Sequence, residues 1–347
     1  MDTARLLEWY QENKRDLPWR TTRDIYAVLV SEMMLQQTTV DTALKYYARF
    51  LERFPNVQTL ALANEEAVLS AWKGLGYYAR ARNLHRIVKH VTDVHGGAFP
   101  DTLDGWRKLP GVGPYIAGAV TSIALGLPHA AVDGNVMRVF ARLDGMHDDV
   151  MQPQTRRRVE SRVKSLIPHD AAGDFTQALM ELGALVCRPL SPNCADCPVS
   201  RDCTAFAQGV ADKLPVRKPR EKQQTVKMWV ALVEAPGALL MEYRKDETLL
   251  ARMWGLPNVE KHSDKPAEAL FEDKYGITLA GGQSAGHAVH VFTHRRWEMD
   301  ILCYKADAEF SVGGVLEWVG REEWEHKPVP TAFLKVLRAK WKEEAHE

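Results

Sequence analysis

The sequence predicts a multidomain protein: an all-α domain over residues 1–210, a basic linker over 211–224 and an α+β domain over 225–347. Three observations carry this reading. The chain has 347 residues, and at roughly 150 residues per domain that length suggests two cores. Apolar residues recur at helical spacing up to about residue 205 and with period two in the stretches after the linker. Between the two regimes, ADKLPVRKPREKQQ carries two prolines and five cations, Lys213, Arg217, Lys218, Arg220 and Lys222, the composition of a solvated tether.

The helical elements follow in order. ARLLEWY, DIYAVLVSEMMLQQ, LKYYARFLERF, EEAVLSAWKGLG and LHRIVKHV each place apolar side chains three and four apart. So do YIAGAVTSIALG, NVMRVFARL, RRRVESRVKSLI and FTQALMELGALV, and Pro, Gly, Asn or Asp punctuates the intervals. Beyond the linker, VKMWVALVE, GALLMEYR, HAVHVFTH, RWEMDILCYK and VLEWVG alternate as strands do, whereas KPAEALFEDKYG and TAFLKVLRAKWKEEA return to the helical period.

Composition bounds the function. Apolar residues make up 46% of the chain, enough for real cores. No apolar run reaches the roughly 18 residues that a spanning helix needs, and MDTARLLEWYQENKRD lacks the apolar centre of a signal peptide. A soluble, cytoplasmic protein is the expectation. Net charge is zero, but residues 1–220 hold 28 Lys plus Arg against 24 Asp plus Glu, and residues 221–347 hold 17 against 21. The resulting +4 and −4 leave room for a polyanionic partner on the first part without establishing one.

Cys187, Cys194, Cys197 and Cys203 fall within 17 residues. In a cytosolic chain such crowding indicates a metal centre in preference to disulfides, and four thiolates suit tetrahedral zinc and a [4Fe-4S] cluster equally. Cys303 stands alone in a predicted strand and reads as a core residue.

LPGVG, residues 109–113, has the consensus of a helix-hairpin-helix turn. Gly111 and Gly113 permit a tight backbone and close approach, and Pro114 suits the first turn of the next helix, whose free N–H groups can hold a phosphate. Such contacts position DNA without reading its sequence; a plain αα-corner uses the same residues.

Two carboxylates stand in apolar surroundings. Glu32 sits in VLVSEMMLQQT, where burial raises a carboxyl's pKa and suits it to act as an acid near neutral pH. Asp133 follows IALGLPHAAV and precedes Gly134 and Asn135, a position that also fits a helix N-cap. Together they suit glycosidic bond cleavage, in which one carboxyl protonates the leaving group and the other stabilises a cationic sugar.

LPWR (17–20), SEMMLQQT (31–38), GLGYYARARNL (74–84), LPGVG, VDGNV (132–136), the cysteine array and FTH (292–294) together resemble the endonuclease-III-like helix-hairpin-helix superfamily of base-excision DNA glycosylases, and within it the adenine DNA glycosylases. The resemblance covers nearly the whole chain. It implies a [4Fe-4S] cluster on the four cysteines. It implies that Glu32 protonates adenine at N7, that Asp133 stabilises the sugar cation, and that Asn135 and Tyr115 support them. Trp19, Arg20 and Glu181 match residues of the adenine pocket, and Gln37, Leu75 and Tyr77 match residues that enter the base stack. The implied target is double-stranded DNA carrying adenine opposite 8-oxoguanine or guanine, bound by a monomer. A base inside a duplex must be flipped out, at roughly a few kcal/mol, and wedge residues offset that cost. The linker cations would then be free to track phosphates.

The second domain resembles a MutT-like (Nudix) fold. Its helix reads ALFEDK (269–274), with Ala269-Leu270 where active hydrolases carry Arg-Glu and Lys274 in place of a glutamate. Too few carboxylates remain to hold magnesium, so recognition is implied and hydrolysis is not. Thr293 and His294 match the loop that senses 8-oxoguanine, with Thr where Ser is common. Three rivals have specific signatures. A bifunctional lyase would need a lysine at position 115, where the chain has tyrosine. A non-catalytic lesion binder would not need Glu32 and Asp133, and a pyrophosphatase would need the missing carboxylates.

Overall fold

The computed structural model describes residues 1–218, 223–245, 249–262, 265–320 and 322–344. Arg220 and Lys222 of the expected linker lie outside the described residues. The chain divides into two compact units, Met1–Leu62 with Arg82–Arg220, and Ala63–Ala81 with Glu221–Glu347.

Twelve α-helices precede residue 210: α1 (Thr3–Asn13), α2 (Ile25–Leu35), α3 (Val40–Arg53), α4 (Val57–Leu62), α5 (Glu65–Ala71), α6 (Ala79–His95), α7 (Leu103–Lys108), α8 (Pro114–Ile123), α9 (Gly134–Leu143), α10 (Pro153–Lys164), α11 (Ala172–Leu185) and α12 (Thr204–Ala207). All nine helices expected from periodicity are present. The short α4, α7 and α12 escaped that reading because fewer than two turns show no full period. The stretch around Glu32 ends as helix at Leu35, two residues before Gln37 takes φ 56°. EEAVLSAWKGLG stops at Ala71, ahead of Gly74 and Gly76 at φ 102° and 71°.

In the first unit α11 packs against α1, α8 and α9, while α2 packs against α3 and α8. Helix α2 is buried from Tyr26 through Met34, Glu32 included, which is why its sequence is apolar all round. Two glycines set the spacing here. Gly111 takes φ 78° in the turn between α7 and α8, a conformation that an L side chain resists. Gly113 has φ −89° and a Cβ built on it would meet nothing within 4 Å; the expected glycine-dependent bend therefore rests on Gly111 alone, with Gly113 left open to close approach. On α11, a Cβ at Gly183 would lie 2.6 Å from Asn135 Cβ, so this glycine is what lets α9 and α11 touch.

After α11 the chain forms the cysteine loop, in which Cys187, Cys197 and Cys203 pack partly buried against the core of α9 and α11. The expected linker is ordered where it begins. Ala211–Lys213 form a 3₁₀ turn, and buried Leu214 packs with Ala205 and accepts a hydrogen bond from Arg142 Nε at 2.8 Å.

The second unit holds a seven-stranded mixed sheet of β1 (Gln224–Ala235), β2 (Ala238–Tyr243), β3 (Trp254–Gly255), β4 (Asn258–Glu260), β5 (Gln283–Val291), β6 (Arg295–Lys305) and β7 (Leu316–Gly320). Strands run β3-β2-β1-β6-β5, with β4 on β1 and β7 on β2; the β1–β6 pair is parallel, Met228 facing Met299. Helix α13 (Ala267–Tyr275) covers one face through Leu270 and Phe271, and α14 (Thr331–Glu344) the other through Phe333 and Leu337. Both faces are thus buried, as the α+β expectation requires. Cys303 lies partly buried on β6 against the α14 side. Residues 63–81 group with this unit through Glu65, Glu66 and Lys73, which bond Arg252, the Trp254 indole and the Glu325 carbonyl.

Candidate active site

One cavity of about 350 Å³ in the first unit gathers Trp19, Arg20, Glu32, Tyr115, Asp133, Asn135 and Glu181. Five of its walls come from separate segments. The 3₁₀ turn Pro18–Arg20 supplies Trp19 and Arg20, α2 supplies Glu32, α8 supplies Tyr115, the start of α9 supplies Asp133 and Asn135, and α11 supplies Glu181.

Glu32 is 4% exposed, and burial pushes its carboxyl up to about 7. The Tyr115 hydroxyl donates to its Oε2 at 2.6 Å and moderates that rise, whereas the Asp133 charge adds to it. Burial, together with the charge of Glu32, also holds the Tyr115 phenol well above its ordinary range, so it stays a donor. A carboxyl with this affinity for its proton is half loaded at neutral pH, as a general acid needs.

Asp133 is the N-cap of α9, and it is also in the cavity. Its Oδ1 accepts from the Val136 N–H at 2.7 Å and its Oδ2 from the Asn135 amide at 2.9 Å. Burial raises its pKa, and these two hydrogen bonds oppose the rise. The cap therefore fixes the carboxylate's direction while stabilising its charge. Asn135 is held in turn by Arg138 Nη2 at 2.9 Å, and Arg138 Nε reaches the Cys187 carbonyl at 2.8 Å.

Glu181 behaves in the opposite way. Burial alone would raise it, but hydrogen bonds from Arg20 and Arg15 outweigh burial and hold it at about 2. Arg15 binds through its backbone N–H and two side-chain nitrogens, at 2.7–2.9 Å. This second arginine, and Arg138, were missed in the sequence. The only signal was Arg15 and Arg20 bracketing DLPW, and nothing in that spacing names Glu181 as their partner.

Gln37 borders this unit's site segment with its side chain exposed and φ 56°. Leu75 and Tyr77 belong to the second unit. There Tyr77 is 48% exposed at φ 48°, and Leu75 is 7% exposed. Non-glycine residues in the left-handed region are uncommon and collect at functional loops. Arg80 braces this loop, donating to the carbonyls of Leu75, Gly76 and Tyr77. Thr293 and His294 are exposed in the turn from β5 to β6, whose carbonyls accept from Gln223 Nε2 and the Gln224 N–H. Lys274 lies against buried Glu242, its Nζ 3.2 Å from Oε1 and 3.0 Å from the Asn258 carbonyl.

All four cysteines of the array line one small cavity with Arg142, whose Nη1 is 3.3 Å from Cys187 Sγ. Burial pushes the Cys197 thiol up to about 11, and the other three sulfurs add to this. Among the described residues no three His, Cys, Asp or Glu side chains converge to hold a single ion.

Fold and cavity together define a class: residues 30–169 match the family described as HhH-GPD superfamily base excision DNA repair protein, and residues 228–339 match the NUDIX domain. A thermostable thymine-DNA glycosylase aligns with TM-score 0.55 at 28% identity, over 59% of this chain and 95% of that one. Endonuclease III in a trapped covalent DNA intermediate aligns with TM-score 0.51 at 25% identity, over 60% and 94%. Adenine DNA glycosylase of Mus musculus is 34% identical across 96% of this chain and 77% of its own length, and that of Schizosaccharomyces pombe is 30% identical across 96% and 88%. The chain belongs to the adenine DNA glycosylase family. No helix among the described residues is long and apolar enough to cross a membrane.

Proposed function

We propose that this protein hydrolyses the N-glycosidic bond of adenine opposite 8-oxoguanine or guanine in double-stranded DNA and leaves an abasic site in an uncut strand. The observation that carries the reading is the pair of carboxyls in one cavity, Glu32 raised to about 7 and Asp133 stabilised by Val136 and Asn135. Glu32 gives its proton to adenine N7, which makes the base a neutral leaving group. Asp133 faces the cationic sugar, and water then adds to the anomeric carbon with Glu32 accepting its proton. Tyr115 orients Glu32 through the 2.6 Å hydrogen bond. With a phenol at this position and no amine, Schiff-base chemistry has no nucleophile there.

Glu181, clamped by two arginines, is a fixed acceptor for the adenine edge, with Trp19 as an apolar wall. Gln37, Leu75 and Tyr77 offset the cost of extrusion, and the turn at Gly111–Gly113 holds backbone phosphate. The second unit reads the opposing 8-oxoguanine through Thr293 and His294, and the Lys274 ammonium on Glu242 occupies a place where a magnesium site would need a carboxylate. The working division is a glycosylase part to residue 210, a basic tether and a reader from 225, acting as a cytoplasmic, nucleoid-associated monomer.

Cys187, Cys194, Cys197 and Cys203 are the residues that would hold a [4Fe-4S] cluster. All four sulfurs line one cavity, and a cubane cluster takes four thiolates. When bound, it supplies four metal–thiolate bonds that tie the loop after α11.

The test is a duplex with adenine opposite 8-oxoguanine, incubated with wild type, Glu32→Gln or Asp133→Asn and split into samples with and without alkali. Wild type should yield strand breaks only after alkali, and each variant should yield none while still binding the duplex. Turnover at the wild-type rate by either variant would sink the carboxyl assignments; breaks without alkali would point to the lyase.

A further inference from the structure

Tyr115 has a second side. Its ring also walls a separate cavity of about 310 Å³ in the same unit, bounded by α7, the loop 128–132 and α10. This cavity is basic in character: Arg107, Arg156 and Lys164 line it, with His129, against a single lining carboxylate, Glu160. Glu160 is committed to Arg156 at 3.0 Å, and Arg156 Nη2 donates to the Val132 carbonyl at 2.6 Å, the residue before Asp133. Among the described residues the one ion pair of Arg107 is a long, exposed contact with Asp104 at 3.9 Å. Lys164 has no ion-pair partner among the described residues and is exposed at the end of α10.

His129 registers the resulting field. Its ring is fixed by a 3.1 Å hydrogen bond between Nδ1 and Thr121 Oγ1. Its pKa is lowered first by burial and then by the charges of Arg107 and Lys164, with Asp104 opposing them. The cations Arg107 and Lys164 on the wall of this cavity favour an anion within it.

We propose that this cavity seats a backbone phosphodiester next to the flipped nucleotide, with Arg107 and Lys164 as its cations. This rests on the proposed function, because it is the base held near Glu32 that brings a phosphate here. The electrostatics point to it directly. The Asp133 carboxylate disfavours a phosphate on its own side of the sugar, so the strand is better held against a cationic wall. The wall that shares Tyr115 with the base cavity has that sign. Arg156 contributes as a positioning residue: by holding the Val132 carbonyl it couples the seat to the backbone that carries Asp133.

The experiment measures binding of the full chain to a duplex whose adenosine carries a 2′-fluorine, which resists cation formation at the sugar. Phosphates flanking that adenosine are replaced one at a time by neutral methylphosphonate, and wild type is compared with Lys164→Ala and Arg107→Ala. The prediction is that one replacement weakens wild type about tenfold and leaves the variants unaffected, and that each variant loses about one counterion from the salt slope. Equal losses in wild type and variants at every position would overturn the seat, as would wild-type affinity and slope in both variants. Inorganic phosphate is titrated in parallel. If it raises the Tm of wild type but not of Lys164→Ala, with no methylphosphonate coupling, the cavity takes free phosphate and the seat for DNA is wrong. Coupling in a protein that removes no adenine would retain the seat and refute the glycosylase reading.

Discussion

Single side chains in the base cavity were legible to the degree that their neighbours in sequence were unusual. Glu32 could be picked out because it stands in an apolar stretch, one of nine consecutive buried residues of α2, and a carboxyl there must be neutral or partnered. It is both. Its pKa of about 7 lies above the ordinary glutamate value of 4.5, so the folded state holds the proton more tightly than the unfolded chain. Between those values stability falls as pH rises, and above about 7 the full cost remains. Glu32→Gln should therefore destroy base removal yet stabilise the fold at pH 8, by up to about 3 kcal/mol, with little gain at pH 4. Urea unfolding at the two pH values measures this; equal shifts at both would mean that Glu32 titrates normally. By the same proton, single-turnover base removal should decline about tenfold per pH unit above roughly 7. Arg15, Arg138 and Arg156 could not be picked out, since a solvated arginine and one clamped on a buried carboxylate or carbonyl look alike in sequence.

At the level of elements, helix existence followed from periodicity, while the places where helices meet did not. The approach of α9 to α11 depends on Gly183, whose added Cβ would stand 2.6 Å from Asn135. In sequence this residue is an unremarked glycine inside FTQALMELGALV. Gly183→Ala should push the first turn of α9 aside, costing about 1–3 kcal/mol by overpacking. Because Asn135 steadies Asp133 at 2.9 Å, kcat should fall by more than the Tm change would suggest, with duplex affinity retained. Wild-type kcat in this variant would show that α9 relaxes without disturbing the carboxylate. The loop containing Tyr77 makes the same point from the other direction. GLGYYARAR announces a break through its glycines, but that Arg80 folds back onto three carbonyls of the loop is a tertiary fact.

For the whole molecule, the change from period 3.6 to period two marked two kinds of core, and the mixed sheet between α13 and α14 agrees with it. The grouping of residues 63–81 with the later unit was not legible, because it depends on Glu65, Glu66 and Lys73 finding partners about 190 to 250 positions away. Truncation near residue 220 should reduce discrimination between 8-oxoguanine and guanine opposite adenine more than it reduces adenine removal; the ratio of single-turnover rates on the two duplexes reads this, and an unchanged ratio would remove the reader role from the second unit. The intact protein should be brown when purified without chelators, and a colourless, zinc-loaded and fully active preparation would dismiss the iron-sulfur assignment.

By itself the sequence determined the class of each domain, the cysteine array, the hairpin turn and the two carboxyls, since each of these is a local pattern in which periodicity, spacing or an apolar setting is visible within some twenty residues. Only the tertiary structure decided what those groups are worth chemically. Glu32 and Glu181 are the same side chain, both buried, yet one is held at about 7 by burial and the other at about 2 by two arginines. The low value is set by distances of under 3 Å between residues more than 160 apart in the chain, and electrostatic energy at such range is fixed by where folding places the partners.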